Sequence, residues 1–111
     1  MFVHIEAPDE AGHNGSKMEK VQSIEQIDDK IVRPILEKAK EIGDIRILVS
    51  PDHPTPISMR THTRNEVPFI IWGKGIEADG CKFYSERACK KGKYGVLKGH
   101  NLIKDVLLNG V

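Results

Sequence analysis

Five histidines are spread through this 111-residue chain; three of them stand in polar stretches where the chain would ordinarily turn, two of those with an aspartate close by. The first such stretch runs from Glu6 to His13 and holds Asp9 and His13 at an i, i+4 spacing. The second is Asp52-His53-Pro54-Thr55-Pro56, and the third is Arg60-Thr61-His62-Thr63. Carboxylate oxygen and imidazole nitrogen together suit Mn²⁺, Zn²⁺, Fe²⁺ or Co²⁺ better than Ca²⁺, which prefers oxygen alone. Two aspartates and three histidines exceed what one catalytic ion usually takes from protein. They suffice for two ions that leave positions open for a substrate or nucleophile.

Each fragment also has a plainer reading. Asp-xxx-His pairs are common on surfaces, Asp52-His53 between prolines makes an ordinary turn, and His62 alone is a typical solvated loop residue. His4 alternates with Val3 and Ile5 as a strand-face residue would, and His100 is placed to cap or precede a helix. Metal chemistry therefore rests on the three loops taken together. Other chemistries find less support. Cys81 and Cys89 have no histidine nearby in sequence. Ser58 and Thr55 lie near His53 without a G-x-S-x-G elbow, and Gly73-Lys74-Gly75 lacks the spacing of a phosphate-binding loop.

The elements that must position these residues follow from patterning. Phe2–Ile5 reads as a strand, and Asp9–Gly15 as an irregular segment too rich in glycine for helix. Ser16 followed by Glu19 is a capping-box signature. It opens an apolar stripe through Val21, Ile24, Ile31, Ile35, Ala39 and Ile42 that predicts a long helix ending at Gly43, kinked or broken near Pro34. Ile45–Val49 and Val67–Trp72 read as buried strands, Ser85–Lys91 and Asn101–Leu108 as short helices. That order predicts an α/β chain with a mostly parallel sheet and flanking helices, forming a single domain over residues 1–111. Ligands of such sheets gather beyond the carboxyl ends of the strands, where the three loops would fall.

Composition narrows the partners. Lys and Arg number 17 against 16 Asp and Glu, a net charge of +1, so no strong field points to nucleic acid or an anionic membrane. At 39% hydrophobic and 30% charged the chain reads as a globular protein of the reducing cytoplasm, with too few cysteines for a disulfide framework. No signal peptide or bilayer-spanning stretch is visible.

His4-Ile5-Glu6-Ala7-Pro8-Asp9-Glu10-Ala11-Gly12-His13-Asn14-Gly15, with Pro51-Asp52-His53-Pro54-Thr55-Pro56 and Arg60-Thr61-His62-Thr63, resembles the archaeal-type cofactor-independent phosphoglycerate mutases of the alkaline phosphatase superfamily. The likeness runs from Phe2 through Leu102 and covers only the C-terminal portion of such an enzyme. It implies a glycolytic isomerase that interconverts 3-phosphoglycerate and 2-phosphoglycerate through a phosphoserine intermediate. Asp9, His13 and His62 then match the ligands of one metal, and Asp52 and His53 two ligands of the other. Manganese is the usual family metal, with Zn²⁺, Co²⁺ or Mg²⁺ as other occupants.

In that family the nucleophilic serine and a further aspartate ligand lie far toward the N-terminus, so no catalytic residue is assigned here. The expectation is a chain that binds an ion yet is inactive alone, and that associates with itself or with a missing N-terminal half. Two other readings stay open: a fragment of another superfamily phosphohydrolase or homoserine phosphotransferase, and a metal-free α/β interaction module.

Overall fold

The computed structural model describes residues 1–108; Asn109–Val111, the end of the expected single domain, lie outside the described residues. The chain divides by its internal packing into two compact units. One comprises Met1–Glu37 with His53–Asn65, the other Lys38–Asp52 with Glu66 onward.

The first unit is built on two helices, α1 (Ala7–His13) and α2 (Lys17–Ile27), which pack against each other. The segment read from sequence as irregular is thus a helix, and its glycine explains the difference. A Cβ on Gly12 would lie 2.3 Å from the carbonyl oxygen of Thr55, so this position is glycine to admit a neighbouring backbone, not to break the helix. The stop comes at Gly15, whose φ of 68° suits glycine. Ser16 N–H bonds the Ala11 carbonyl and Gly15 N–H the Gly12 carbonyl, the paired bonds of a Schellman motif. Ser16 then caps α2, its Oγ accepting from Glu19 N–H at 3.2 Å. Half of the predicted capping box forms in this way, because the Ser16 N–H already serves α1.

The long helix departs from α-geometry where Pro34 requires it to. Proline lacks an N–H and its ring crowds the carbonyl four residues back. A π-helical turn, Asp28–Val32, absorbs the mismatch, with Arg33 N–H reaching back to the Asp28 carbonyl. The helix resumes as α3 (Arg33–Ile42), which passes from the first unit into the second at Lys38.

In the second unit β1 (Arg46–Val49) pairs with β2 (Ile70–Gly73). The pairing is antiparallel, Arg46 opposite Gly73 and Val49 opposite Ile70. The mostly parallel sheet expected from element order is therefore not what the described residues form. A parallel return needs a crossover, usually helical, and residues 50–69 hold no helix. Nor is Phe2–Ile5 a strand: Met1, Phe2 and Val3 are exposed, without a neighbouring strand among the described residues to take up their backbone groups. The short helix α4 (Glu86–Cys89) is capped by Ser85, whose Oγ accepts from Ala88 N–H. The last predicted helix is a 3₁₀ turn, Gly99–Asn101, holding His100, and then a π-helical turn, Ile103–Leu108. Arg46 fastens that turn to β1 by donating to the carbonyls of Leu107 and Leu108. Val106 and Ala39 are the buried apolar side chains of this unit, and Ala11 that of the first. No described helix is long and apolar enough to cross a membrane.

Candidate metal centre

Helix α1 places Asp9 and His13 one turn apart on the same face, so both side chains reach the same point. The third donor arrives from the segment 53–65 of the same unit. His62 Nε2 lies 3.0 Å from Asp9 Oδ1 and 3.2 Å from His13 Nε2, and the latter is 3.3 Å from Asp9 Oδ1. Of all His, Cys, Asp and Glu side chains among the described residues, this trio is the group that brings three donor atoms within 4.8 Å of one another.

The hydrogen bonds around the trio fix which atoms face inward. His13 Nδ1 sits 3.0 Å from the Arg60 carbonyl oxygen, which can only accept, so Nδ1 carries a proton and the ring turns its Nε2 toward Asp9 and His62. Thr55 Oγ1 donates to Asp9 Oδ1 at 2.7 Å. That bond, foremost, holds the Asp9 carboxyl below its ordinary range, with the neighbouring His13 and His62 adding to the effect and partial burial opposing it. An ionised carboxylate oxygen and two imidazole nitrogens therefore meet where a proton or a cation must lie between them.

The spacing fits a metal ion. Donors about 2.0–2.2 Å from one centre stand roughly 3.0 Å apart at a right angle and roughly 3.4 Å apart at the tetrahedral angle. The measured 3.0–3.3 Å falls in that interval. The side chains of Asp9, His13 and His62 remain 36%, 42% and 51% exposed, so the face of the trio is accessible to further ligands.

The sequence-predicted residues divide here. Asp9, His13 and His62 converge. His53 stands beside them without joining the group: its ring stacks on that of His62, centroids 3.5 Å apart, and its Nδ1 is 3.2 Å from Thr55 Oγ1. Asp52 ends a segment of the other unit and is also outside the trio.

Three residues that matter to the geometry carry no signal in the sequence pattern. Thr55, 4% exposed, had interest only as a hydroxyl near His53. Arg60 contributes a backbone carbonyl, which no side-chain motif reveals. It does so from the left-handed conformation (φ 53°) beside Gly15, where a Cβ would meet its guanidinium. Gly12 makes room for Thr55.

Comparison with known proteins decides the family. Residues 1–108 match the model of the metalloenzyme superfamily. The chain belongs to that superfamily. It is 48% identical over 105 residues to the 2,3-bisphosphoglycerate-independent phosphoglycerate mutase of Methanosarcina acetivorans, a match covering 93% of this chain and 26% of that protein. A probable enzyme of the same name from Geobacter sulfurreducens is 39% identical over 108 residues, 96% of this chain and 27% of that one. The solved structure of the PH0037 protein from Pyrococcus horikoshii superposes with a TM-score of 0.81 at 31% identity, covering 87% of this chain and 29% of that one. The chain thus spans about a quarter of the length of the curated relatives it matches. Superfamily membership implies a divalent metal, and the donor set formed by Asp9, His13 and His62 is one that such an ion fits.

Proposed function

We propose that this chain is the metal-holding portion of a phosphoglycerate mutase, the enzyme that interconverts 3-phosphoglycerate and 2-phosphoglycerate. The observation that carries this reading is the convergence of Asp9 Oδ1, His13 Nε2 and His62 Nε2 in a chain of the metalloenzyme superfamily. The names of its relatives support the substrate.

Asp9, His13 and His62 would hold one divalent ion, Mn²⁺ by family usage. Such an ion supplies Lewis acidity toward phosphoryl oxygens. Asp52 and His53 are proposed as donors to a second ion, completed by groups outside these 111 residues.

The chain's own contribution is orientation. The Arg60 carbonyl holds the His13 ring with its Nε2 inward, and Thr55 keeps Asp9 ionised and immobile. The hydroxyl that touches the trio belongs to Thr55, whose buried side chain is not presented to a substrate. Phosphoryl transfer through a phosphoserine therefore requires a hydroxyl from elsewhere. These residues alone bind the ion and do not turn over. As part of a glycolytic enzyme, the chain is assigned to the cytoplasm.

Calorimetric titration with Mn²⁺ tests the reading, supported by elemental analysis of the loaded chain. About one ion per chain is expected at the trio. His13→Ala should carry that event out of the measurable range. A wild-type chain that binds no ion, or a variant that titrates like wild type, overturns the proposal. Robust mutase turnover by the pure chain contradicts the account of the hydroxyl.

A further inference from the structure

Thr55 faces one carboxylate and one imidazole with a hydroxyl that owns a single proton. Oγ1 lies 2.7 Å from Asp9 Oδ1 and 3.2 Å from His53 Nδ1. The Asp9 carboxylate can only accept, so the Thr55 proton goes to it. Toward His53 the hydroxyl then has only lone pairs to offer, and Nδ1 must be the donor. We infer that Thr55 is a positioning residue that fixes His53 as the Nδ1–H tautomer while clamping Asp9, and so prepares both histidine-bearing loops for metal with one hydroxyl. The inference rests on the metal-holding role proposed above for Asp9, His13 and His62.

The surroundings of Thr55 suit such a task. Lys20 Nζ donates to its carbonyl oxygen at 2.6 Å, and helix α1 presses on it at Gly12. Its side chain cannot easily turn away, since backbone and methyl are both confined. A ring protonated at Nδ1 carries its lone pair on Nε2, the nitrogen that points away from Thr55. His13 has the same tautomer for a different reason, the Arg60 carbonyl. Two imidazoles are thus set to one protonation pattern by two unrelated acceptors, one a backbone carbonyl and one a hydroxyl whose own proton is spent.

The test separates this inference from the reading beneath it. Long-range ¹⁵N–¹H correlation of the metal-free chain at a pH near 8.5, where free imidazole is neutral, reports the tautomer of His53 without any ion. The expected result is protonated Nδ1 in wild type, a shift toward the other tautomer in Thr55→Val, and restoration in Thr55→Ser. Mn²⁺ affinity by calorimetry should fall about 10- to 100-fold in Thr55→Val, the usual effect of losing a group that orients a ligand, and stay within a few-fold of wild type in Thr55→Ser. A wild-type His53 protonated at Nε2 overturns the inference even if Mn²⁺ binds. So does a Thr55→Val chain with unchanged tautomer and affinity. A wild-type chain with the expected tautomer but no Mn²⁺ binding leaves the Thr55 assignment standing and removes the metal-holding function.

Discussion

Gly12→Ala sets two ordinary rules against each other. Inside a helix, alanine is preferred to glycine by about 1 kcal/mol, so propensity alone expects the change to stabilise α1. The structure expects the reverse. The new methyl would stand 2.3 Å from the Thr55 carbonyl oxygen, 2.8 Å from its Cγ2 and 3.0 Å from its Cβ. A comfortable contact needs about 3.5 Å, so the shortfall is roughly 1 Å and is against backbone, not a flexible chain end. Overpacking of this kind costs about 1–3 kcal/mol, and rigid backbone places it toward the upper end. The net expectation is a loss of about 1–2 kcal/mol after the propensity gain is subtracted.

A retreat of Thr55 by that distance has a second consequence. Its hydrogen bond to Asp9, 2.7 Å long, would stretch past the limit of a hydrogen bond. Mn²⁺ affinity should then fall about tenfold together with stability. Urea unfolding followed by circular dichroism should show the midpoint lowered by about 0.5–1 M, with calorimetry on the folded variant reporting the affinity. Gly99→Ala is the control, because nothing lies within 4 Å of a Cβ there; it should change stability by less than about 0.5 kcal/mol. A Gly12→Ala chain as stable as wild type, with undiminished affinity, would refute the close-approach reasoning.

Three further outcomes are expected. Because imidazole ligands must shed their protons, Mn²⁺ affinity should weaken as the medium is acidified toward about pH 5. Asp9, held below its ordinary range by Thr55, should remain ionised there; calorimetry across pH 5–8 showing no such decline would disprove His ligation. The Tyr84 hydroxyl donates to the Pro68 carbonyl at 3.2 Å, and burial, then Cys89 and Glu86, push its pKa up to about 12 although 45% of the residue is exposed. The folded state keeps that proton longer than the unfolded chain, so stability should fall as pH climbs from about 10 to about 12, and Tyr84→Phe should abolish the last step of an absorbance titration near 295 nm. Thr63 Oγ1 is buried without a hydrogen-bond partner, so Thr63→Val should leave thermal stability unchanged or raise it by up to about 1 kcal/mol; a clear loss would reveal a partner for that hydroxyl.

Local signals proved legible where the physics is local. Ser16 caps a helix because its hydroxyl meets an N–H three residues on, and Pro34 disturbs a helix because it lacks a donor; both effects are written within one turn of the chain. The direction of β2 was not written locally. Ile70–Gly73 pairs antiparallel with β1 because residues 50–69 return without a crossover helix, and a run of apolar residues looks alike in either direction. Gly12 misled for a related reason: its meaning depends on Thr55, distant in sequence, whose carbonyl occupies the space a side chain would need.

The same distinction runs through the metal centre. Asp9, His13 and His62 stand out by side-chain type and are grouped by the family resemblance, although the segment holding Asp9 and His13 reads as irregular and proves to be a helix that sets them one turn apart. What orients those donors is carried by groups with no chemical signature in a sequence, the carbonyl of Arg60 and the hydroxyl of Thr55. Residues that supply ligand atoms are constrained in type and can be found by type. Residues that aim those atoms need only offer an acceptor or a single proton at the right place, which most residues can do, so only the fold can single them out.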